Sequence, residues 1–125
     1  MEIKCAFNHY CFVVFNLCDS VEFYKKALGF TEKRRVEAAD GTATRVYMGE
    51  CETDFVIELT FFKANTNRYD LGDNKGHIAV TVSENYDEIK AFHKENGWIV
   101  REIPERNIHF IKDPDGHVIE ILLAK

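Results

Sequence analysis

The sequence predicts an α+β fold built from two copies of one βαβββ module. First, the chain has 125 residues, of which 46% are hydrophobic and 30% charged, a composition and length typical of one globular domain. Second, the segment that begins at His9 aligns with the segment that begins at His77, 68 positions later. Third, strand-like and helix-like patterns follow in the same order in both copies. We therefore expect a single domain over residues 1–125, with repeats at about 7–62 and 75–124.

The internal repeat extends well beyond its first strand. Without a gap, Val21 aligns with Ile89 in the region that follows each first strand. Towards the end of each copy the shift becomes 62 residues, where the string at 56–59 aligns with the string at 118–121. Such a repeat indicates a duplicated supersecondary unit rather than a single irregular sheet.

Each copy is predicted to begin with a strand and a helix. Apolar and smaller or polar residues alternate at the start of each copy, which is the pattern of a half-buried strand. Apolar residues at helical spacing follow. We expect Asp19 and Ser83 to be the N-caps of the two helices, and Gly29 and Gly97 to end them in the left-handed conformation.

Three short strands should follow the helix in each copy. Their expected positions are 30–37, 43–49 and 54–61 in the first copy, and 98–103, 107–112 and 117–124 in the second. The strings Asp40-Gly41 and Asp113-Pro114-Asp115-Gly116 mark two of the turns between them.

Charge and composition exclude several classes of function. The formal net charge is −5 without a basic stripe, so the electrostatic pattern of a nucleic-acid-binding protein is absent. The sequence has no long uncharged apolar run and no secretory signal pattern, so we expect no membrane partner and a cytoplasmic location. In that compartment the four cysteines, which lack C-x-x-C spacing, should stay reduced.

The polar residues of the strongest predicted strands lie on one face of the sheet. The opposite face is apolar and is expected to pack under the helices. The shared polar positions are His9, Glu58, His77 and Glu120. Their repeat equivalence matters, because His9 matches His77 and Glu58 matches Glu120. An unpaired carboxylate in such an apolar strand would cost several kcal/mol on burial, so each Glu needs a cation, a proton or hydrogen bonds.

Two imidazoles and two carboxylates at matched positions predict a metal site. This N₂O₂ set suits a borderline divalent ion such as Ni²⁺, Co²⁺, Zn²⁺ or Mn²⁺, and an octahedral shell would keep two positions open. A lone His or Glu would more simply be a strand residue or an ion-paired residue, but four matched positions favour ligation. The other histidines have no repeat equivalents, so we assign surface or packing roles to His93, His109 and His117.

At these residues the sequence resembles the glyoxalase I (lactoylglutathione lyase) family of the vicinal oxygen chelate superfamily. The resemblance covers nearly the whole chain and all four expected ligands. The strings that carry it are Val56-Ile57-Glu58-Leu59-Thr60, Arg68-Tyr69-Asp70-Leu71-Gly72, Gly76-His77-Ile78-Ala79 and Asp113-Pro114-Asp115-Gly116 with Glu120.

The resemblance implies an assembly and a metal. Paired βαβββ modules would form half-barrels around the ion, completed in a homodimer in which each site takes two ligands from each subunit. The compact chain resembles the nickel- or cobalt-activated members more than the longer zinc-activated ones. Ni²⁺ or Co²⁺ is therefore the favoured cofactor, and Zn²⁺ is the alternative.

The resemblance also implies a reaction. A hemithioacetal of a 2-oxoaldehyde, such as methylglyoxal, and a thiol would bind a Lewis-acidic metal that stabilises the developing enediolate. Glu120 would move a proton from one carbon to the next, with Glu58 serving the opposite face. The product would be a 2-hydroxyacyl thioester.

The thiol is not settled by this resemblance. Many glutathione-using members carry Arg four residues after the first metal His and Asn four residues after the first metal Glu, whereas these positions here are Val13 and Phe62. Because both polar contacts are absent, the resemblance supports the metal chemistry more than it supports glutathione as the thiol, and another thiol stays an alternative. Other polar residues nearby are interpreted as surface residues, namely Arg101, Arg106, Lys75 and Asn65.

Two other functions stay open from the sequence. One is a different metalloenzyme of the same superfamily, such as an acyl-thioester epimerase. The other is a noncatalytic module that binds a small molecule, although such a module has little reason to keep both His–Glu pairs.

Overall fold

The computed structural model describes all residues from Met1 to Lys125 and divides into two compact units, Met1–Tyr69 and Asp70–Lys125. Each unit contains four strands and one α-helix in the order βαβββ. The α+β class with two βαβββ modules, predicted from the internal repeat, is therefore confirmed. The expected strand positions agree with the observed ones to within two residues.

The first unit consists of one helix and one mixed four-stranded sheet. Its elements are β1 (His9–Val13), α1 (Leu17–Leu28), β2 (Thr31–Glu37), β3 (Ala43–Gly49) and β4 (Val56–Phe62). The strand order is β1-β4-β3-β2, in which β1 runs parallel to β4 and the other neighbours are antiparallel. This order places the first strand of the module beside its last strand.

The second unit repeats this topology. Its elements are β5 (Ile78–Val82), α2 (Tyr86–Glu95), β6 (Ile99–Ile103), a 3₁₀ turn (Pro104–Arg106), β7 (Ile108–Lys112) and β8 (Val118–Leu123). The strand order is β5-β8-β7-β6, with β5 parallel to β8. No helix in the chain combines the length and apolar character needed to cross a bilayer.

The helix-facing side of each sheet forms the core, as alternation along the strands predicts. Burial of this apolar surface is the main stabilising contribution within each unit. In the first unit the fully buried side chains include Val14, Tyr24, Val46, Met48, Ile57 and Leu59. In the second unit they include Ile111, Ile119 and Ile121.

The helix caps differ in part from the prediction. The N-cap of α1 is Asn16, whose side chain accepts a hydrogen bond from the Asp19 backbone N–H at 3.0 Å. Asp19 therefore lies inside the first turn and not at the cap. The residue before α2 is Asn85, which has a left-handed backbone with φ of 60°, so Ser83 is not its cap either. Gly29 ends α1 in the left-handed conformation with φ of 67°, as expected.

Two histidines that have no repeat equivalents are buried in contact with each other, one on α2 and the other on β7. His93 and His109 are fully buried, and their rings are joined by a contact of 2.8 Å between Nδ1 of His93 and Nε2 of His109. The other ring nitrogen of His109 lies 3.0 Å from the Tyr86 hydroxyl. Of the surface and packing roles predicted for them, His93 and His109 therefore have packing roles. His93 and Tyr86 are the buried side chains of α2.

Candidate metal centre

In the first unit, strand pairing places an imidazole beside a carboxylate. β1 and β4 pair so that His9 lies opposite Val56 and Cys11 opposite Glu58, which makes His9 a diagonal neighbour of Glu58 on one face. Nε2 of His9 is 3.0 Å from Oε2 of Glu58. The other ring nitrogen, Nδ1, is 2.5 Å from the Asn8 side-chain oxygen. That oxygen can only accept, so Nδ1 carries a proton in this contact and Nε2 points towards Glu58.

The second unit repeats this arrangement. Ala79 of β5 lies opposite Glu120 of β8, so His77 is again the diagonal neighbour of the carboxylate. Nε2 of His77 is 3.5 Å from Oε1 of Glu120. Both imidazoles are partly exposed, whereas the carboxylates are largely covered. Each unit therefore presents one predicted His–Glu pair, with the carboxylate set deeper than the imidazole.

An aromatic ring supports the imidazole of each pair. Tyr47 of β3 meets the ring of His9 edge-on at 5.9 Å between centroids. Phe110 of β7 meets the ring of His77 in the same way at 5.4 Å. An arginine of the neighbouring strand lies over each aromatic ring, at 4.3 Å in the first unit and 5.6 Å in the second. These arginines are Arg34 and Arg101.

Hydroxyl groups and a guanidinium surround Glu58. The hydroxyl of Thr60 donates to Oε1 of Glu58 at 2.7 Å, and Nε of Arg45 lies 3.5 Å from the same oxygen. Burial opposes ionisation of Glu58. The hydroxyls of Thr60 and Tyr47 and the charges of His9 and Arg45 outweigh that effect and hold the pKa of Glu58 below its ordinary value.

The Cys11 thiol lies beside this network. Its Sγ is 3.3 Å from the Thr60 hydroxyl oxygen. Because the Thr60 proton is directed to Glu58, Cys11 is the donor in this contact. Burial, with the nearby charge of Glu58, raises the pKa of Cys11, so this thiol is held in its neutral form and is not set up as a thiolate ligand.

The two carboxylates have different surroundings despite their equivalent positions. Glu58 lies opposite Tyr47 of β3, and Thr60, two residues further along β4, lies opposite Arg45. The equivalent pairings in the second unit are Phe110 with Glu120 and Ile108 with Leu122. Three polar side chains around Glu58 are thus replaced by apolar side chains around Glu120. Glu58 is therefore held by several donors besides its histidine, whereas the polar neighbour of Glu120 is His77.

The donor atoms of each pair fit ligation of a divalent metal. With bonds of about 2.1 Å, adjacent ligand atoms in an octahedral shell lie about 3.0 Å apart. The His9–Glu58 separation of 3.0 Å matches this value, and the His77–Glu120 separation of 3.5 Å approaches it. The imidazole nitrogen and carboxylate oxygen of each pair are ligand types that suit Ni²⁺, Co²⁺ or Zn²⁺.

A second group of ligand-type side chains lies in the turn between β7 and β8. The ligand atoms of Asp113, Asp115 and His117 fall within 4.8 Å of one another. Oδ1 of Asp113 accepts the backbone N–H groups of Asp115 at 2.9 Å and His117 at 2.8 Å. The backbone N–H of Gly116 bonds to the Asp113 carbonyl at 3.0 Å, which is the predicted turn. Closing the turn accounts for this Asp113 carboxylate, and we assign the group no metal.

Sequence reasoning identified the pairs but missed part of their surroundings. Within each unit the structure brings the expected imidazole and carboxylate together. Tyr47 and Arg45 were missed because only the most strongly alternating strands were compared. Both residues share the parity of the polar face on β3, so extending the same alternation to that strand would have found them.

The fold and the paired His–Glu sites define a class of duplicated βαβββ proteins with one candidate metal-ligand pair in each module. Residues 6–121 match the Glyoxalase/Bleomycin resistance protein/Dioxygenase superfamily. The chain belongs to this superfamily.

Individual relatives indicate the type of enzyme within this superfamily. A lactoylglutathione lyase of Neisseria meningitidis serogroup A is 39% identical over 117 residues, which cover 88% of this chain and 84% of that protein. A probable lactoylglutathione lyase of Synechocystis is 36% identical over 115 residues, 86% of each chain. The structure of the trypanothione-dependent glyoxalase I of Leishmania major superposes with a TM-score of 0.85 at 29% identity, covering 96% of this chain and 87% of that one. With such relatives, the protein is an enzyme of the lyase class with a glyoxalase I-like function.

Proposed function

We propose that the protein is a metal-dependent glyoxalase I that converts the hemithioacetal of methylglyoxal and a thiol into a 2-hydroxyacyl thioester. The names of its relatives support the reaction type. The observation that carries the proposal is the repeated His–Glu pair, since in each module the imidazole nitrogen and the carboxylate oxygen lie close enough together to bind the same ion.

The proposed ligands are His9, Glu58, His77 and Glu120. Nickel or cobalt is the favoured ion, and zinc is the alternative. When bound, such an ion supplies Lewis-acid stabilisation of the negative charge that develops on the two vicinal substrate oxygens. On the resemblance described above, we also propose a homodimer in which each ion takes two ligands from each subunit.

The unequal surroundings of the two carboxylates support a division of roles. A general base must accept a proton from the substrate carbon and release it to the neighbouring carbon, so its oxygen must be able to exchange partners. Oε1 of Glu58 is engaged by the Thr60 hydroxyl at 2.7 Å and faces Arg45, which favour the ionised form. At Glu120 apolar side chains take the positions of these donors, so fewer contacts hold its oxygens and they can exchange partners. We therefore assign the proton transfer to Glu120 and a supporting role, on the opposite face, to Glu58.

The reaction conserves all atoms. Glu120 removes the C–H proton of the thiol-bearing carbon and returns a proton to the adjacent carbon. The hydroxyl proton moves to the former carbonyl oxygen, so a thioester carbonyl forms at one carbon and a secondary alcohol at the other. An isomerisation of this kind needs no oxidant and no second substrate.

The test is an assay of methylglyoxal with several thiols, using protein stripped of metal and reloaded with Ni²⁺, Co²⁺ or Zn²⁺. We expect thioester formation, followed by ultraviolet absorbance, that depends on the added ion, with nickel or cobalt giving the larger kcat. Elemental analysis should find a stoichiometric divalent metal in the active protein. Full activity in the stripped protein, or no activity with any thiol and ion, would contradict the proposal.

A further inference from the structure

Arg45 differs from the other arginines near the metal centre. Arg34 and Arg101 occupy matching places, each over the aromatic ring that supports an imidazole. Arg45 has no such equivalent, because strand pairing places Ile108 at its position in the second module. The shared framework of the two modules therefore does not require a cation at this point.

Arg45 is the charged residue in a row that is otherwise neutral. The row crosses the sheet through Val13, Thr60, Arg45 and Val36. It lies directly beside the row that contains Glu58, on the same face. About a third of the Arg45 side chain is exposed, at 35%, so the guanidinium remains accessible beside the covered carboxylate.

Glu58 does not need Arg45 to satisfy its hydrogen bonds. Its oxygens already have contacts from the Thr60 hydroxyl at 2.7 Å and from His9 at 3.0 Å, and Tyr47 donates as well. The Arg45 contact of 3.5 Å is the longest of these. A divalent ion bound to Glu58 would take up its negative charge. The anion left to Arg45 would then be Asp40, whose interaction with Arg45 is the weakest of those that lower the Asp40 pKa and whose carboxylate is already bonded to Thr42.

We propose that Arg45 binds a carboxylate of the thiol part of the substrate and makes the enzyme selective for anionic thiols. This inference rests on the proposed function, because it assigns a substrate class to the same site. A guanidinium pairs with a carboxylate through two parallel hydrogen bonds, which gives direction as well as attraction. The anion would lie over the Thr60 row, between Arg45 and the apolar Val13.

The substrates for the test are the methylglyoxal adducts of glutathione and of glutathione diethyl ester, which lacks both carboxylates but keeps the same backbone. In the nickel-loaded wild type we expect a higher kcat/KM for the acid than for the ester. Arg45→Met should lower the acid-to-ester ratio by about 10- to 100-fold, the effect of losing a charged hydrogen bond. Arg45→Lys, which keeps the charge without the planar fork, should give an intermediate ratio.

Two further variants separate this role from a structural one. Arg34→Met is the matched control, because Arg34 is also a cation on this face but stacks on Tyr47, and it should leave the ratio unchanged. Val13 lies two strands, about 10 Å, from Arg45, so an arginine there approaches the same anion from the other side. Adding Val13→Arg to Arg45→Met should restore a preference for the acid.

Binding provides a readout that does not require turnover. Calorimetric titration with S-methylglutathione, and with its diethyl ester, should show tighter binding of the acid by wild type and a selective loss in Arg45→Met. Equal losses for acid and ester would overturn the proposal, since they would mean that Arg45 only neutralises Glu58. If no isomerase activity is found with any thiol, the titration still decides the role of Arg45, so failure of the proposed function can be distinguished from failure of this inference.

Discussion

Thr60 is the residue that most directly holds a proposed metal ligand, and it provides the first prediction. Removing its hydroxyl in Thr60→Val leaves Oε1 of Glu58 without its 2.7 Å donor. Hydrogen bonds to metal ligands orient them, so we expect affinity for Ni²⁺ to fall by about 10-fold or more. Competition with a chromophoric chelator would measure this change.

The first unit contains a matched control for this substitution. Thr44 is also buried and also donates to a carboxylate, Oε1 of Glu37, at 2.8 Å. Glu37 is not a proposed ligand. Thr44→Val should therefore leave nickel affinity unchanged, whereas equal losses in the two variants would indicate a general effect on folding and not an effect on Glu58.

The two proposed carboxylate ligands should respond differently to removal of charge, which is the second prediction. Glu120→Gln keeps a ligand oxygen and the shape of the side chain but cannot accept the substrate proton. We expect at least about a 100-fold loss in kcat, within the range for a general base, with nickel still bound. The readouts are metal content and steady-state kinetics of the purified variant.

Glu58→Gln is the comparison for this prediction. Because Glu58 is assigned a supporting role, its variant should retain more turnover at saturating metal than Glu120→Gln. A Glu120→Gln enzyme with full activity, or the reverse order of the two variants, would remove Glu120 from the proton transfer.

The helix caps allow a third prediction, at the scale of an element. Asn16 caps α1 through its side-chain oxygen, whereas Asn85 precedes α2 with a left-handed backbone and no side-chain cap. Ser can replace a capping oxygen, so Asn16→Ser should be nearly neutral while Asn16→Ala lowers the free energy of unfolding by about 1 kcal/mol. Urea unfolding of the variants would measure these differences.

Before the second helix, residue 85 must adopt a left-handed backbone and does not cap the helix with its side chain. A φ of 60° is tolerated by Asn and Gly but disfavours other side chains. Asn85→Ser should therefore cost about 1 kcal/mol and Asn85→Gly much less. If Ser were tolerated at both positions, the distinction between a side-chain cap and a backbone requirement would be wrong.

For the whole molecule, the buried histidine contact predicts how stability depends on pH. Burial, the charge of His93 and then that of Lys90 lower the pKa of His109 from 6.5 to about 4, while Glu102 acts in the opposite direction. Between these values the unfolded chain binds a proton that the folded chain does not. Stability is thus fully present above pH 6.5 and is lost as the pH falls towards 4, by about 3 kcal/mol from this group.

The measurement is urea unfolding across this pH range. His109→Gln keeps polar atoms near His93 and the Tyr86 hydroxyl but does not titrate, so it should flatten this part of the profile. An unchanged slope in His109→Gln would show that other groups cause the acid sensitivity.

Much of the architecture could be predicted from local patterns in the sequence. The repeat predicted the βαβββ order, and the alternation of strands predicted which face carries His9 and Glu58 and which carries the core. The face on which a strand side chain lies follows from the two-residue period of the strand, so it can be predicted without knowledge of the fold. The ends of helices were predicted less well, because a capping oxygen at Asn16 and a left-handed Asn85 depend on how the chain enters each helix.

The sequence by itself determined the duplicated fold and the identity of the proposed ligands, since both are encoded in spacings within the chain. Only the tertiary structure decided how the two carboxylates differ. Tyr47 and Arg45 reach Glu58 through the pairing of β3 with β4, and the corresponding pairing of β7 with β8 brings apolar residues to Glu120. The donors and charges within a few ångströms of a carboxylate come from strands that are distant in the sequence, so local sequence patterns do not reveal them.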